Sequence, residues 1–208
     1  MLHTEAIESR TFSLLNELMS LPSLLPFALV GGTALSLRYG HRSSVDLDLF
    51  SNVKFDHLPI LSELENRFHQ TFQYKQQHTH FGIFCFIDDI KVDIVHFPHL
   101  LISAIDEECG IRMYGTPDIV AMKIQAILGR GEKKDFWDLF ELLQYYSLQQ
   151  MIDWHKQKYP NQMLTISIPH AITYFVDAEQ TQNPVSFKNQ TWESVKKGIS
   201  KAVSDYLR

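Results

Sequence analysis

Residues 29–50, Leu-Val-Gly-Gly-Thr-Ala-Leu-Ser-Leu-Arg-Tyr-Gly-His-Arg-Ser-Ser-Val-Asp-Leu-Asp-Leu-Phe, confine this chain more tightly than any other stretch. From Val45 to Phe50 apolar and acidic residues alternate with the period of a β-strand, so Asp46 and Asp48 emerge on one face while Val45, Leu47 and Leu49 take the other. Two carboxylates about 7 Å apart along a strand repel one another unless a cation lies between them or water reaches both. Upstream, Gly31-Gly32 permits a tight turn with close backbone approach, and Thr33 to Arg38 reads as the first turns of a helix starting just after it.

The rest of the chain supplies a frame for this stretch. Ile7, Thr11, Leu14, Leu15 and Leu18 make one face of a first helix, which Pro22 ends. Phe27 to Val30 reads as a short buried strand. After a helix from Leu58 to Phe68 come strands at Phe72–Tyr74, His80–Ile87 and Ile90–Phe97, the last two joined by an Asp88-Asp89 hairpin turn. With the aspartate strand they predict a mixed sheet of about five strands. From Gly115 helical periodicity takes over, with Thr116 as cap, Pro117 in the first position and Asp118 at the positive end of the dipole. Ile119, Met122, Ala126 and Ile127 form one stripe, Gly129 to Gly131 a break, and Phe136, Leu139, Phe140 and Leu143 the next stripe. A further pair of helices follows. Beyond a loop at Asn183-Pro184, the residues Trp192, Val195, Ile199, Ala202, Val203 and Tyr206 line a last amphipathic helix. The expected class is α/β (α+β): a core over residues 1–114, then a helical C-terminal part over 115–208.

Composition narrows the partners. With 208 residues, 45% of them hydrophobic and 21% charged, the chain can bury one full core. A net charge of −5 sets the whole-molecule field against a polyanion, so nucleic-acid contact requires a local patch, whereas a free nucleotide with Mg²⁺ meets a smaller obstacle. Met1 to Arg10 has polar residues where a signal peptide needs an apolar core, and Pro22, Ser23 and Pro26 interrupt the run Leu21 to Val30; a cytoplasmic protein with no membrane partner is expected. Cys85 and Cys109 lack metal-ligand spacing and are expected as reduced thiols, Cys85 buried. His78, His80, His96 and His99 show no zinc spacing and are expected in structural or surface roles. Phe136, Trp137 and Phe140 read as core, and Phe81, Phe84 and Phe86 as strand packing.

Asp93, in Ile90-Lys-Val-Asp-Ile-Val95, offers a third carboxylate on a second strand. A glycine turn opening a helix presents backbone N–H groups to phosphate, and hard divalent ions are held by carboxylates together with substrate phosphates. Three aspartates on two neighbouring strands thus make an apparatus for nucleotidyl transfer, with Mg²⁺ or Mn²⁺ between triphosphate and attacking hydroxyl. Taken alone, Asp-x-Asp is commonly a solvated strand face and Gly-Gly is equally weak; their order carries the argument. A calcium loop is disfavoured, because Phe50 stands where a ligand belongs. The P-loop consensus is absent, and no Glu-x-Lys follows the acids as in a metal-dependent nuclease.

Gly31-Gly32-Thr33-Ala34-Leu35 followed by Arg42-x-Ser44-x-Asp46-x-Asp48-Leu49-Phe50 resembles the first motif of the AbiEii/AbiGii toxin family, nucleotidyltransferases with a polymerase-beta-like fold. Lys91-Val-Asp93-Ile resembles its second acidic motif, Asp118-Ile-Val-Ala-Met-Lys123 its helical lysine motif, and Arg130-x-x-x-Lys134-Asp135-Phe-x-Asp138-Leu its last. The resemblance implies Asp46, Asp48 and Asp93 as metal-binding and catalytic acids. It implies Gly31, Gly32, Thr33, Arg42 and Ser44 around the triphosphate, and Lys123 and Asp135, with Arg130, completing the nucleotide site. Asp135 carries more weight here than Asp138. Without the resemblance, Lys123 reads as a surface lysine, and Lys134 with Asp138 as a helix-surface ion pair. It further implies an NTP substrate, a tRNA or protein acceptor, and a cognate antitoxin. Two other readings stay open: a nucleotide-binding interaction module without turnover, and a phosphotransferase moving a γ-phosphate on the same fold.

Overall fold

Leu47 and Leu49 point into the core while Asp48 and Phe50 stay half-buried on the opposite face. That alternation organises the molecule. In a computed structural model, which describes residues 1–75 and 81–208, seven strands form one mixed sheet. They are β1 (Ala28–Val30), β2 (Leu47–Ser51), β3 (Phe72–Tyr74), β4 (Gly82–Ile87), β5 (Ile90–His96), β6 (Asp106–Glu108) and β7 (Ile111–Met113), in the order β3-β4-β5-β2-β1-β7-β6. β2 is antiparallel to β1 and parallel to β5; β5 and β4 form the expected hairpin, with Asp88 and Asp89 both at positive φ.

The expected five strands are present, and β6 and β7 add two. Asp-Glu-Glu and Ile-Arg-Met are too short to show a period, and β6 carries no apolar face. They are strands because β7 pairs with buried β1, register Leu29 with Met113, and β6 covers its far side.

The helices are α1 (Ser9–Ser20), α2 (Gly31–Tyr39), α3 (His57–Phe68), α4 (Thr116–Gly129), α5 (Lys133–Leu142), α6 (Leu148–Lys158), α7 (Ile168–Ala171) and α8 (Trp192–Tyr206). α3 packs beside β3 and β4, whereas α2 contacts both α4 and α5. One hydrophobic core runs through both parts of the chain, from Leu18 and Leu49 to Phe136, Trp137 and Val195. Cys85 is a buried free thiol and Cys109 an exposed one.

Three expectations are corrected. Thr116 does not cap α4: Gly115 holds the cap position, and the Thr116 hydroxyl accepts from Arg38 Nη1 at 2.9 Å. Asp118 does more than complement a dipole. Fully buried, its carboxylate accepts from Ile102 N at 2.9 Å, Ser103 N at 3.0 Å and Lys158 Nζ at 2.6 Å, tying α4 and α6 to the segment that leaves the sheet. On β4 the buried phase belongs to Ile83, Cys85 and Ile87, so Phe84 and Phe86 lie on the face that carries Asp93. His78 and His80 lie outside the described residues.

Candidate active site

β1 runs straight into α2, so the first turn of the helix begins at Gly31 with φ +70°. A Cβ there would stand 2.6 Å from Asp48 Oδ2, and one on Gly32 would stand 2.3 Å from Arg42 Nη2. A side chain at either position would push the Asp48 carboxylate or the Arg42 guanidinium out of place. Both glycines are therefore required by the side chains that close on them, and the same absence of side chains leaves the helix N-terminus open to an anion.

Strand register assembles the acids. Val30 pairs with Asp48, and Asp48 pairs with Asp93, which sets those two carboxylates on adjacent strands about 4.8 Å apart at the backbone. Burial, then the Asp93 charge, pushes the Asp48 carboxyl up to about 6, with Lys91 and Lys123 pulling the other way. Asp93 Oδ2 accepts from the Lys91 ammonium, while its Oδ1 is buried with no hydrogen-bond partner. Lys91 is lowered by burial but raised overall by Asp93, Asp48 and Asp46. Among the described residues no three His, Cys, Asp or Glu side chains converge as a ready metal cluster. A pair of carboxylates with one orphaned oxygen does fit Mg²⁺ or Mn²⁺, which one or two carboxylates hold jointly with substrate phosphates. Asp46, lining the same cavity, stands beside the pair.

Behind this mouth lies a buried ionic network centred on Asp138. Its Oδ1 accepts from His41 Nε2 at 2.7 Å and Arg42 Nε at 2.6 Å; its Oδ2 accepts from Arg42 Nη2 at 2.8 Å and pairs with Lys123 Nζ at 2.8 Å. Burial alone would raise the Asp138 carboxyl, yet Arg42 and Lys123 hold it well below the usual carboxylate range. Asp135 completes the set, with Lys123 Nζ 3.0 Å from its Oδ1 and the Glu132 N–H on its Oδ2 at 3.3 Å. Arg42 and Lys123 neutralise the two buried carboxylates from within, and exposed Arg130 reaches Asp135 Oδ2 at 3.5 Å from the cavity side.

A cavity of about 510 Å³ opens in front of these groups. Gly31, Gly32, Arg42, Ser44, Asp46, Asp48, Asp93, Lys123 and Arg130 all line it, together with Lys91 and Lys134. Ile119, Met122 and Ala126, which read as core in the sequence, form an apolar wall of the same cavity. Two residues expected to contact nucleotide do not reach it. Thr33 is buried, with its hydroxyl on the Asp46 carbonyl and on Ser44 Oγ at 2.8 Å; Asp135 is fully buried behind Lys123 and caps α5. Lys134 and Asp138 are not a surface pair, since Lys134 meets Glu132 while Asp138 faces inward. His41 was missed. Its only sequence signal is its place beside Arg42, opposite a helix whose Asp135 and Asp138 share a face.

A mixed sheet in which a helix N-terminus opens over two registered aspartates is an arrangement that can be compared with known proteins. The family described as nucleotidyl transferase AbiEii toxin, Type IV TA system, matches residues 13–183. The chain belongs to this nucleotidyltransferase toxin family. An uncharacterised protein of Aquifex aeolicus is 32% identical over 200 residues, covering 93% of this chain and 94% of the relative. Among solved structures, JHP933 from Helicobacter pylori superposes with a TM-score of 0.56 at 17% identity, over 95% of this chain and 92% of its own. MenT4, a nucleotidyltransferase toxin from Mycobacterium tuberculosis, gives 0.53 at 15% identity, over 95% and 86%. At those identities the structural likeness concerns the fold. No described helix of this AbiEii-family chain is long and apolar enough to cross a membrane.

Proposed function

We infer that this AbiEii-family nucleotidyltransferase transfers a nucleoside monophosphate from an NTP to an acceptor hydroxyl, in a reaction that requires a divalent cation. The supporting observation is the register Val30–Asp48–Asp93 beneath the Gly31-Gly32 helix start, with both carboxylates and both glycines lining one cavity. The acceptor oxygen forms a bond to the α-phosphorus, the bond from that phosphorus to the β-bridging oxygen breaks, and pyrophosphate leaves. Asp93, the third acid at the cavity, takes the hydroxyl proton. Backbone N–H groups at the start of α2, with Ser44 and Lys134, bind the triphosphate. Ile119, Met122 and Ala126 form the wall for the base. Arg42, Lys123, His41, Asp135 and Asp138 act as positioning groups, since their charges are spent on one another. Asp48 and Asp93, with Asp46, would hold Mg²⁺ or Mn²⁺, which would supply charge neutralisation at the phosphates and a more acidic attacking hydroxyl.

The test is incubation with α-³²P-labelled NTPs, Mg²⁺ and total cell RNA and protein. Label is expected on a macromolecule with wild type and not with Asp48→Asn. Label transferred from γ-³²P-ATP instead would replace this reading with phosphotransfer. By family, the chain is read as the toxin of a pair with a cognate antitoxin; expression alone is expected to slow growth, and Asp48→Asn to restore it.

A further inference from the structure

We propose that Lys91 is a built-in counter-ion of the acids, which holds Asp93 until a divalent cation arrives with the NTP and then gives it up. The inference deepens the nucleotidyl-transfer reading and rests on its assignment of Asp46, Asp48 and Asp93 to the cation. Position is the first observation. Lys91 and Asp93 are two apart on β5 and so share a face, and the register of Asp48 with Asp93 sets that face beside the acid of β2. The ammonium lies on Asp93 Oδ2, while Oδ1 of the same carboxylate stays buried without a partner. Asp48 and Asp46 act on the same ammonium through their charges.

The other cations of the cavity are engaged elsewhere. Arg42 and Lys123 are held by Asp138 and Asp135, Lys134 meets Glu132, and Arg130 reaches Asp135. Among the described residues that line the cavity, Lys91 alone pairs with an acid assigned to the cation. Mobility is the second observation: the Lys91 side chain is 45% exposed, against 14% for Asp93 and 7% for Lys123. A flexible stem in contact with water lets the ammonium leave at small cost, because a pair this exposed contributes little stability. An ammonium on a ligating oxygen repels a divalent ion, so Mg²⁺ alone has to displace it. Mg²⁺ carried by a triphosphate also brings phosphate oxygens, with which the freed ammonium can pair. The acids therefore favour the cation–nucleotide complex over the bare cation.

Cation binding without turnover separates this proposal from catalysis. Mn²⁺ is titrated into the protein in the absence of nucleotide, and free Mn²⁺ is read from its electron paramagnetic resonance signal. Lys91→Met, which keeps an apolar stem and loses the charge, is expected to tighten Mn²⁺ binding about three- to tenfold, and Lys91→Arg to bind it no more tightly than wild type. With an α,β-methylene NTP analogue present, the advantage of Lys91→Met is expected to disappear, because the wild-type ammonium then pairs with phosphate. Far-UV circular dichroism checks that each variant is folded. Unaltered or weaker Mn²⁺ affinity in folded Lys91→Met, or a gain that persists in full with the analogue, overturns the counter-ion while NMP transfer by wild type stands. A gain that behaves as expected, with no NMP transferred by wild type, overturns the transfer reading and leaves the counter-ion.

Discussion

Asp48 shows how one residue couples stability to function. Its ordinary carboxyl value of 3.8 is raised to about 6 in the fold, by burial first and Asp93 second. Well below pH 3.8 the group is protonated in folded and unfolded chains alike and contributes nothing to stability. As pH rises from about 4 to about 6 the unfolded chain ionises first, so folding stability falls, by about 3 kcal/mol once both states are charged. Asp48→Asn is therefore expected to melt higher than wild type at pH 7.5 and almost equally at pH 3.5, by thermal scans in matched buffers. Mg²⁺ at neutral pH is expected to raise the wild-type midpoint and leave that of Asp48→Asn nearly unmoved. Asp138 sits at the other extreme. Removing it leaves Arg42 and Lys123 buried without their shared partner, so Asp138→Ala is expected to cost about 3–5 kcal/mol by chemical denaturation, a large part of a typical domain's stability.

At the scale of elements, close approach decides more than propensity. α8 contains Gly198, and replacing a helical glycine by alanine ordinarily stabilises by about 1 kcal/mol. Here the added Cβ would stand 2.1 Å from Phe140 Cε2 on α5. Overpacking of that kind costs about 1–3 kcal/mol, so Gly198→Ala is expected to lower stability on balance, and Phe140→Leu in the same chain to relieve it. Denaturant midpoints of the single and double variants check both signs. α2 obeys the same logic at its start, where the empty Cβ positions of Gly31 and Gly32 are filled by Asp48 and Arg42. The glycine bend is thus a packing requirement of the acids and of the ionic network as well as an anion site.

At the scale of the whole molecule, one core and two buried ionic contacts, Arg42 with Asp138 and the Asp118–Lys158 pair on the Ile102–Ser103 backbone, bind the helical part to the sheet. Lys158 and Asp118 are both fully buried, and the same Asp118 carboxylate holds the Ile102 and Ser103 amides. The three tryptophans all lie beyond residue 115, at Trp137, Trp154 and Trp192, while the strands lie before it. Tryptophan fluorescence and far-UV circular dichroism are expected to report one coincident unfolding transition. Lys158→Met leaves Asp118 charged and without its cation, at a cost of about 3 kcal/mol, and is expected to shift both probes together.

Much of this was written in the sequence, where local rules suffice. Alternation placed Asp48 on a strand face, although β2 begins only at Leu47, which leaves Asp46 just before it and Val45 exposed; the glycine pair marked the start of α2, and periodicity located α1, α3, α5 and α8, because each signal is carried by residues close together in the chain. The ordered motifs pointed to the family. Tertiary structure alone decided what depends on distant residues meeting. It paired β7 with β1, turned the Ile119, Met122 and Ala126 stripe into a cavity wall, withdrew Thr33 and Asp135 from that cavity, and made Asp138 the hub joining His41, Arg42 and Lys123. Burial and charge compensation are properties of neighbours in space, and a helix period records only that a side chain faces inward, not whether packed core, an ionic partner or an open cavity awaits it there.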